Sequence, residues 1–148
     1  CRALTTHLLG LGDPAGAWAV LDEYEGSGEE AWLLEARGLA RAMQGALASG
    51  AELLERSLAA GGDGRTRCNL AVILAAAGNT DAAARQLMQA CDELAGRPVL
   101  ASRARALLAE ALLAGGNRAA ARRECVYALE LDPANGRALL LLRMLEAE

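Results

Sequence analysis

The sequence contains no lysine and no phenylalanine, and aromatic residues make up only 3% of it. Its hydrophobic content of 53% therefore consists mainly of alanine and leucine, which are strong helix formers. Runs in which β-branched or aromatic residues alternate with polar ones, as in β-strands, are also missing. The composition predicts an all-α protein, and the 148 residues suffice for one domain with a hydrophobic core.

Further absences exclude whole classes of function. The net charge of −4 argues against general nucleic-acid binding. No apolar run approaches the roughly 18 residues that a membrane-spanning helix needs, so we expect no membrane insertion. The single histidine and the four cysteines show no metal-ligand spacing, so we expect no metal and no other cofactor. Since no catalytic triad or phosphate-binding loop is present, we expect that these residues do not form an enzyme.

The cysteines bear on the cellular compartment. Cys91 and Cys125 lie among apolar residues in helical segments, and we expect them to be buried structural thiols. Unpaired thiols favour a reducing compartment, so we expect a cytoplasmic protein. The alternative is that Cys1 is lipidated, which would place the protein in the periplasm or at the outer membrane. The helix pattern is already under way at Cys1, which favours a fragment of a longer chain over a lipid anchor.

Glycine residues recur between helical stretches at a nearly constant interval. They are Gly12, Gly45, Gly78 and Gly116, which are separated by 33, 33 and 38 residues. Seven positions before each of them lie Thr5, Gly38, Ala71 and Ala109, and five positions after each lie Ala17, Gly50, Ala83 and Ala121. Glycine readily ends a helix in a left-handed conformation, and small residues let two antiparallel helices approach closely. Each copy therefore predicts a pair of helices.

A period near 34 residues with two helices per unit resembles the tetratricopeptide repeat (TPR). The best copy lies within 102–135 and contains LLAEALLAGGNRAAARRECVYALELDPAN, and the next best lies within 64–97 and contains NLAVILAAAGNTDAAARQLMQAC. The resemblance implies one all-α domain, a right-handed α-solenoid of about four antiparallel helix pairs with a C-terminal capping helix. The expected repeats span about 1–30, 31–63, 64–101 and 102–135, and the terminal helix spans 136–148.

Three places depart from a regular repeat. Arg37 and Arg41 occupy positions of the second copy that are usually apolar in the family. The third and fourth copies are separated by extra residues near AGRPVLAS, where we expect Arg97 and Pro98 to make a longer turn. The sequence EGSGEE at 25–30 is the other expected flexible connection.

The resemblance also implies which side chains face the concave groove. These positions lie on the first helix of each pair, and the expected partner-binding residues are Trp32, Glu35, Arg65, Asn69, Val72, Arg103, Glu110 and Arg137. Arg65, Arg103 and Arg137 share one repeat position and would form a row of guanidinium groups, which bind carboxylates. Arginine in the first turn of a helix also opposes the helix dipole, which hints at another use. The alternatives are ordinary surface arginines and, for Trp32, packing on the preceding helix pair.

The functional hypothesis is a non-catalytic scaffold that binds a peptide or a partner helix in this groove. Residues 1–60 contain four arginines and nine acidic residues, whereas residues 61–148 contain eleven arginines and ten acidic residues. We therefore expect an acidic partner segment to bind toward the C-terminal repeats. One alternative is an assembly or secretion chaperone, or a lipoprotein of a bacterial envelope complex. Another is a recruiting domain joined to an enzyme. The apolar terminal helix could cap the solenoid, continue it, or form a homo-oligomer.

Overall fold

The computed structural model describes residues 2–24 and 30–147, which form nine α-helices. They are α1 (Arg2–Gly10), α2 (Pro14–Asp22), α3 (Ala31–Met43), α4 (Leu47–Ala59), α5 (Gly64–Ala76), α6 (Thr80–Glu93), α7 (Pro98–Ala114), α8 (Arg118–Leu131) and α9 (Gly136–Glu146). The all-α prediction is therefore confirmed. Cys1 and residues 25–29 of the expected EGSGEE connection lie outside the described residues.

The helices pack as consecutive antiparallel pairs in a right-handed α-solenoid. The pairs are α1 with α2, α3 with α4, α5 with α6, and α7 with α8, and α9 packs on the last of them. Leu141 on α9 is buried against Ala109, Ala121 and Cys125 of that pair. The terminal helix therefore covers the open end of the fourth pair, while Leu140 and Met144 on its other side remain exposed.

The solenoid bends toward its odd-numbered helices. Each odd-numbered helix contacts the next odd-numbered one, from α1 through α9. In the parts of the chain that the structure describes, successive even-numbered helices make no such contact. Because the inner layer of a bent stack is the more closely spaced one, the odd-numbered helices line the concave face and the even-numbered helices form the outer layer.

The end of α5 shows how each repeat turns. Gly78 has a φ angle of +84°, a left-handed conformation that glycine adopts without the penalty of a Cβ atom. The backbone N–H of Asn79 donates to the carbonyl of Leu74 at 2.8 Å, and that of Gly78 donates to Ala75 at 3.0 Å. These bonds satisfy carbonyl groups at the end of the helix and turn the chain into α6. The same arrangement recurs at the other glycines of the repeat, so their predicted role is confirmed.

Small buried residues set the distance between the helices of each pair. The residues seven positions before and five positions after the recurrent glycine are all buried. The second pair has glycine at both positions, and a Cβ atom on Gly50 would lie 2.8 Å from the carbonyl oxygen of Gly38. The backbones of α3 and α4 are therefore in direct contact at this crossing.

The expected longer turn at Arg97 and Pro98 is wrong. The helix α7 begins at Pro98 and has 17 residues, compared with 13 in α3 and in α5. Proline suits the first position of a helix because its missing N–H would have no partner there. The extra residues between the third and fourth copies thus form an additional helical turn, and Leu100 on this turn packs against the core.

We predict that Gly50→Ala destabilises the protein. The new methyl group meets backbone rather than a movable side chain, and such overpacking costs about 1–3 kcal/mol. The gain in helix propensity, at most about 1 kcal/mol, offsets only part of that cost. Urea unfolding should therefore show a lower midpoint for Gly50→Ala than for the wild type.

The control is Gly136→Ala at the start of α9, where an added Cβ atom meets nothing within 4 Å. This variant should unfold at the wild-type midpoint or slightly above it. Equal midpoints for Gly50→Ala and Gly136→Ala would show that the crossing of α3 and α4 tolerates a methyl group.

Candidate partner-binding groove

A series of clefts follows the concave face from α1 to α9. Two clefts of about 170 and 320 Å³ lie beside Trp32 at the N-terminal end. A narrow one of about 80 Å³ lies between Arg65 and Arg103, and one of about 380 Å³ lies beside Val72 near the C-terminal end. Each of the eight residues expected in the groove lines at least one of these clefts, although their role in binding stays a prediction.

Trp32 combines the two interpretations that the sequence left open. Its ring packs edge-on against Tyr24, which follows α2, with ring centroids 5.3 Å apart. Its indole N–H donates to the carboxylate of Glu30, which precedes α3. The side chain is half-buried and lines both N-terminal clefts. The tryptophan therefore packs on the preceding helix pair and also lines the groove.

Arg2 is a groove residue that the sequence analysis missed. It lines both N-terminal clefts, and its guanidinium lies 6.0 Å from the centre of the Trp32 ring, within the range of a cation–π contact. The available signal was its position, because Arg2 occupies in the first copy the place that Glu35 occupies in the second. That copy is the shortest, and groove positions were assigned only from the second copy onward.

Glu35 and Asn69 are joined across neighbouring repeats. The side-chain amide of Asn69 on α5 donates to Glu35 Oε1 on α3 at 2.8 Å. This bond orients the amide, so that its carbonyl oxygen and the second carboxylate oxygen of Glu35 are left for other donors. The pair gives the floor of the groove between α3 and α5 a fixed polar element.

Arg65 and Arg103 stand free at the centre of the groove. Both are exposed, and both line the same cleft together with Cys68, Asn69, Leu94 and Leu100. Within 2–24 and 30–147, neither guanidinium makes an ion pair or a hydrogen bond. Because two guanidinium groups without a counterion among these residues border one narrow cleft, this part of the groove suits an anion.

The third arginine of the expected row differs from the other two. Arg137 on α9 pairs with Glu110 on α7, with 3.2 Å between Nη1 and Oε2. The two side chains border the cleft of about 380 Å³, whose remaining walls are mostly apolar and include Val72 and Leu107. At this end of the groove, a mostly apolar cleft therefore lies next to the ion pair of Arg137 and Glu110.

The helix dipole opposes only two of the three arginines in the row. Arg65 and Arg137 each occupy the second residue of their helices. Arg103 lies in the second turn of α7, because the additional turn at Pro98 places it away from the helix start. The macrodipole acts mainly in the first turn, so Arg103 carries no such penalty.

Three cysteines of the described chain are buried free thiols, as expected for Cys91 and Cys125. Burial raises the pKa of Cys68 to about 11, although the nearby guanidinium of Arg103 acts in the opposite direction. Burial likewise raises the pKa of Cys91 to about 11 and raises the pKa of Cys125. All three remain protonated near neutral pH, so they are packing residues rather than nucleophiles.

The fold is similar to that of solved tetratricopeptide-repeat proteins. PilF of Pseudomonas aeruginosa aligns with a TM-score of 0.90 and 19% identity, over 99% of this chain and 66% of its own. YrrB, a TPR protein with an unusual peptide-binding site, aligns with a TM-score of 0.72 and 19% identity, over 97% of this chain and 73% of its own. Cut9 of the Cut9–Hcn1 hetero-tetramer aligns with a TM-score of 0.84 and 17% identity, over 96% of this chain and 28% of its own.

These likenesses and the internal repeat show that the chain has the tetratricopeptide-repeat fold. No protein-family model and no curated protein matches the sequence. The chain spans just under two thirds of PilF and less than a third of Cut9. No helix in the described ranges is long and apolar enough to cross a membrane.

We predict that the buried thiols are unreactive in the native protein. In a Cys1→Ser background, a thiol reagent such as Ellman's reagent at pH 8 should label Cys68, Cys91 and Cys125 only after unfolding. The reason is that the thiolate is the reactive form and burial disfavours it.

Free glutathione at the same pH serves as the control for an exposed thiol. Labelling of the native protein at a rate comparable to that of glutathione would show that at least one thiol is accessible.

Proposed function

We propose that the chain is a non-catalytic protein-interaction scaffold that binds an acidic segment of a partner protein in its concave groove. The observation that carries this proposal is the pair Arg65 and Arg103, which flank one cleft and have no counterion within the described ranges. A carboxylate between them would accept charge-assisted hydrogen bonds from both guanidinium groups, each worth about 1.5–3 kcal/mol.

The rest of the groove supports a segment rather than a small molecule. Next to the arginine cleft lies the larger apolar cleft beside Val72 and Leu107, which suits an aliphatic side chain of the same segment. Trp32 and the Asn69 amide on the other side offer a stacking surface and a polar contact. YrrB shares the fold and has a peptide-binding site, which agrees with recognition of an extended or helical peptide.

We also propose that the protein works in the cytoplasm. The three buried free thiols favour a reducing compartment, where cysteines need no partner. Fractionation of the native host cells, followed by immunoblotting, tests this assignment. Recovery of the protein in a periplasmic or membrane fraction would contradict it.

We predict that peptides selected by this protein depend on Arg65 and Arg103. Peptides would be selected from a phage-displayed library on the wild type, and their dissociation constants measured by calorimetry. Arg65→Gln/Arg103→Gln should weaken binding by about a hundredfold or more, because two charge-assisted bonds of about 1.5–3 kcal/mol each are lost. The selected peptides should carry a carboxylate, and their affinity should depend less on salt in the variant.

The matched control is Arg85→Gln/Arg123→Gln, which removes the same charge from exposed arginines of α6 and α8 in the outer layer. This variant should bind the same peptides with wild-type affinity. Equal losses in both double variants would reduce the effect to net charge, and no loss in either would place the interface away from the centre of the groove.

A further inference from the structure

A second charged cleft lies on the outer face of the solenoid, between α2 and α4. It has a volume of about 360 Å³, and α3 forms its floor. It exists because successive outer helices are spread apart by the curvature, so that α2 and α4 do not touch. Its lining includes Trp18, Asp22, Arg37, Arg41, Glu52 and Leu53.

Arg37 and Arg41, the two arginines at usually apolar repeat positions, lie on the floor of this cleft. They are one turn apart on α3. Arg37 follows Trp32 by five residues and Arg41 follows Glu35 by six, and either spacing leaves the second side chain roughly half a turn around the helix from the first. The two arginines therefore lie on the opposite side of α3. Both are half-buried. Like charges at this spacing repel each other, and partial burial strengthens the repulsion.

Neither guanidinium forms an ion pair with the residues that the structure describes. Arg37 donates from Nη2 to the carbonyl of Leu21 at 3.3 Å. The guanidinium of Arg41 lies 4.3 Å from the centre of the Trp18 ring. These partners are neutral, and neither Asp22 nor Glu52 forms an ion pair with the two guanidinium groups although both line the cleft. The floor of the cleft therefore has positive charge and unused donors.

We propose that this cleft is a second binding site, which takes a carboxylate side chain from a partner protein on the outer face. The guanidinium groups of Arg37 and Arg41 would bind the carboxylate. The ring of Trp18 and the side chain of Leu53 provide apolar contact to the residues beside it. Asp22 and Glu52 at the exposed rim disfavour a polyanion such as nucleic acid or an anionic membrane, and favour a segment in which the acid is flanked by neutral or basic residues.

The site is independent of the groove. It is formed by the opposite side of α3 and shares no residue with the clefts of the concave face. The scaffold could therefore hold one partner on each face at the same time. The two tryptophans of the chain report on the two faces separately, because Trp18 lines the outer cleft and Trp32 lines the groove.

The test is a titration of the nitrogen-15-labelled protein, observed at the indole N–H signals of the two tryptophans. The probes are a terminally blocked peptide with one glutamate between leucine and lysine residues, the same peptide with glutamine instead, and inorganic phosphate, all at constant ionic strength. We expect the glutamate peptide to shift the Trp18 signal saturably. The glutamine peptide and phosphate should bind at least tenfold more weakly.

Three double variants locate the effect. Arg37→Gln/Arg41→Gln should weaken the Trp18 response at least tenfold, whereas Arg37→Lys/Arg41→Lys, which retains the charge, should keep part of it. Arg65→Gln/Arg103→Gln should leave the Trp18 response unchanged, so that this site and the groove can fail separately. Circular dichroism confirms that each variant is folded.

Four results would overturn the proposal. They are no Trp18 shift with the glutamate peptide, an equal shift with the glutamine peptide, stronger binding of phosphate than of the glutamate peptide, and an unchanged response in folded Arg37→Gln/Arg41→Gln. If phosphate alone binds, the cleft is a general anion site and not a docking site for a protein carboxylate.

Discussion

The close approach of the two helices within each pair is the constraint on which the rest of the structure depends. At the crossing of α3 and α4, Gly38 and Gly50 leave no room for a Cβ atom, and alanines occupy the same positions in the two following pairs. Because the helices of a pair are held so near each other, each pair stacks on its neighbour as one unit. The offset between units spreads the outer helices and brings the inner ones together, which forms a groove on one face and a cleft on the other.

Arginine serves two distinct purposes in this chain, which has no lysine. Arg67 and Arg105 hold helices together: Arg67 Nε lies 2.6 Å from Glu93, and Arg105 Nη1 lies 2.8 Å from Glu124. Their planar guanidinium groups can also contact a second partner, as Arg105 does with the ring of Tyr127. Arg65 and Arg103 make no such bonds with the described part of the chain. Among the described residues, these two guanidinium groups are thus unpaired where a partner can reach them.

Much of the fold could be predicted because each repeat carries the same sequence features, a glycine at the helix end and small residues where two helices cross. The spacing of Gly45 and Gly78 predicted helix ends that the structure confirms, and the small positions around them are buried. The turn at Pro98 was predicted wrongly, because proline fits a loop and the first turn of a helix equally well. The packing of the partly buried Leu100 against the core favours the helix, and that packing depends on the neighbouring repeat.

The sequence by itself determined the helical class and the period of the repeat, since these follow from local propensity and regular spacing. Which side of each helix faces the groove was implied by the resemblance to the TPR family. Only the tertiary structure decided which charges are neutralised. Glu110 pairs with Arg137 and Glu35 with Asn69 across neighbouring repeats, whereas Arg65 and Arg103 find no partner among the residues that the structure describes. The physical reason is that these contacts depend on the offset between stacked units, and a difference of a few ångströms separates an ion pair from two free charges.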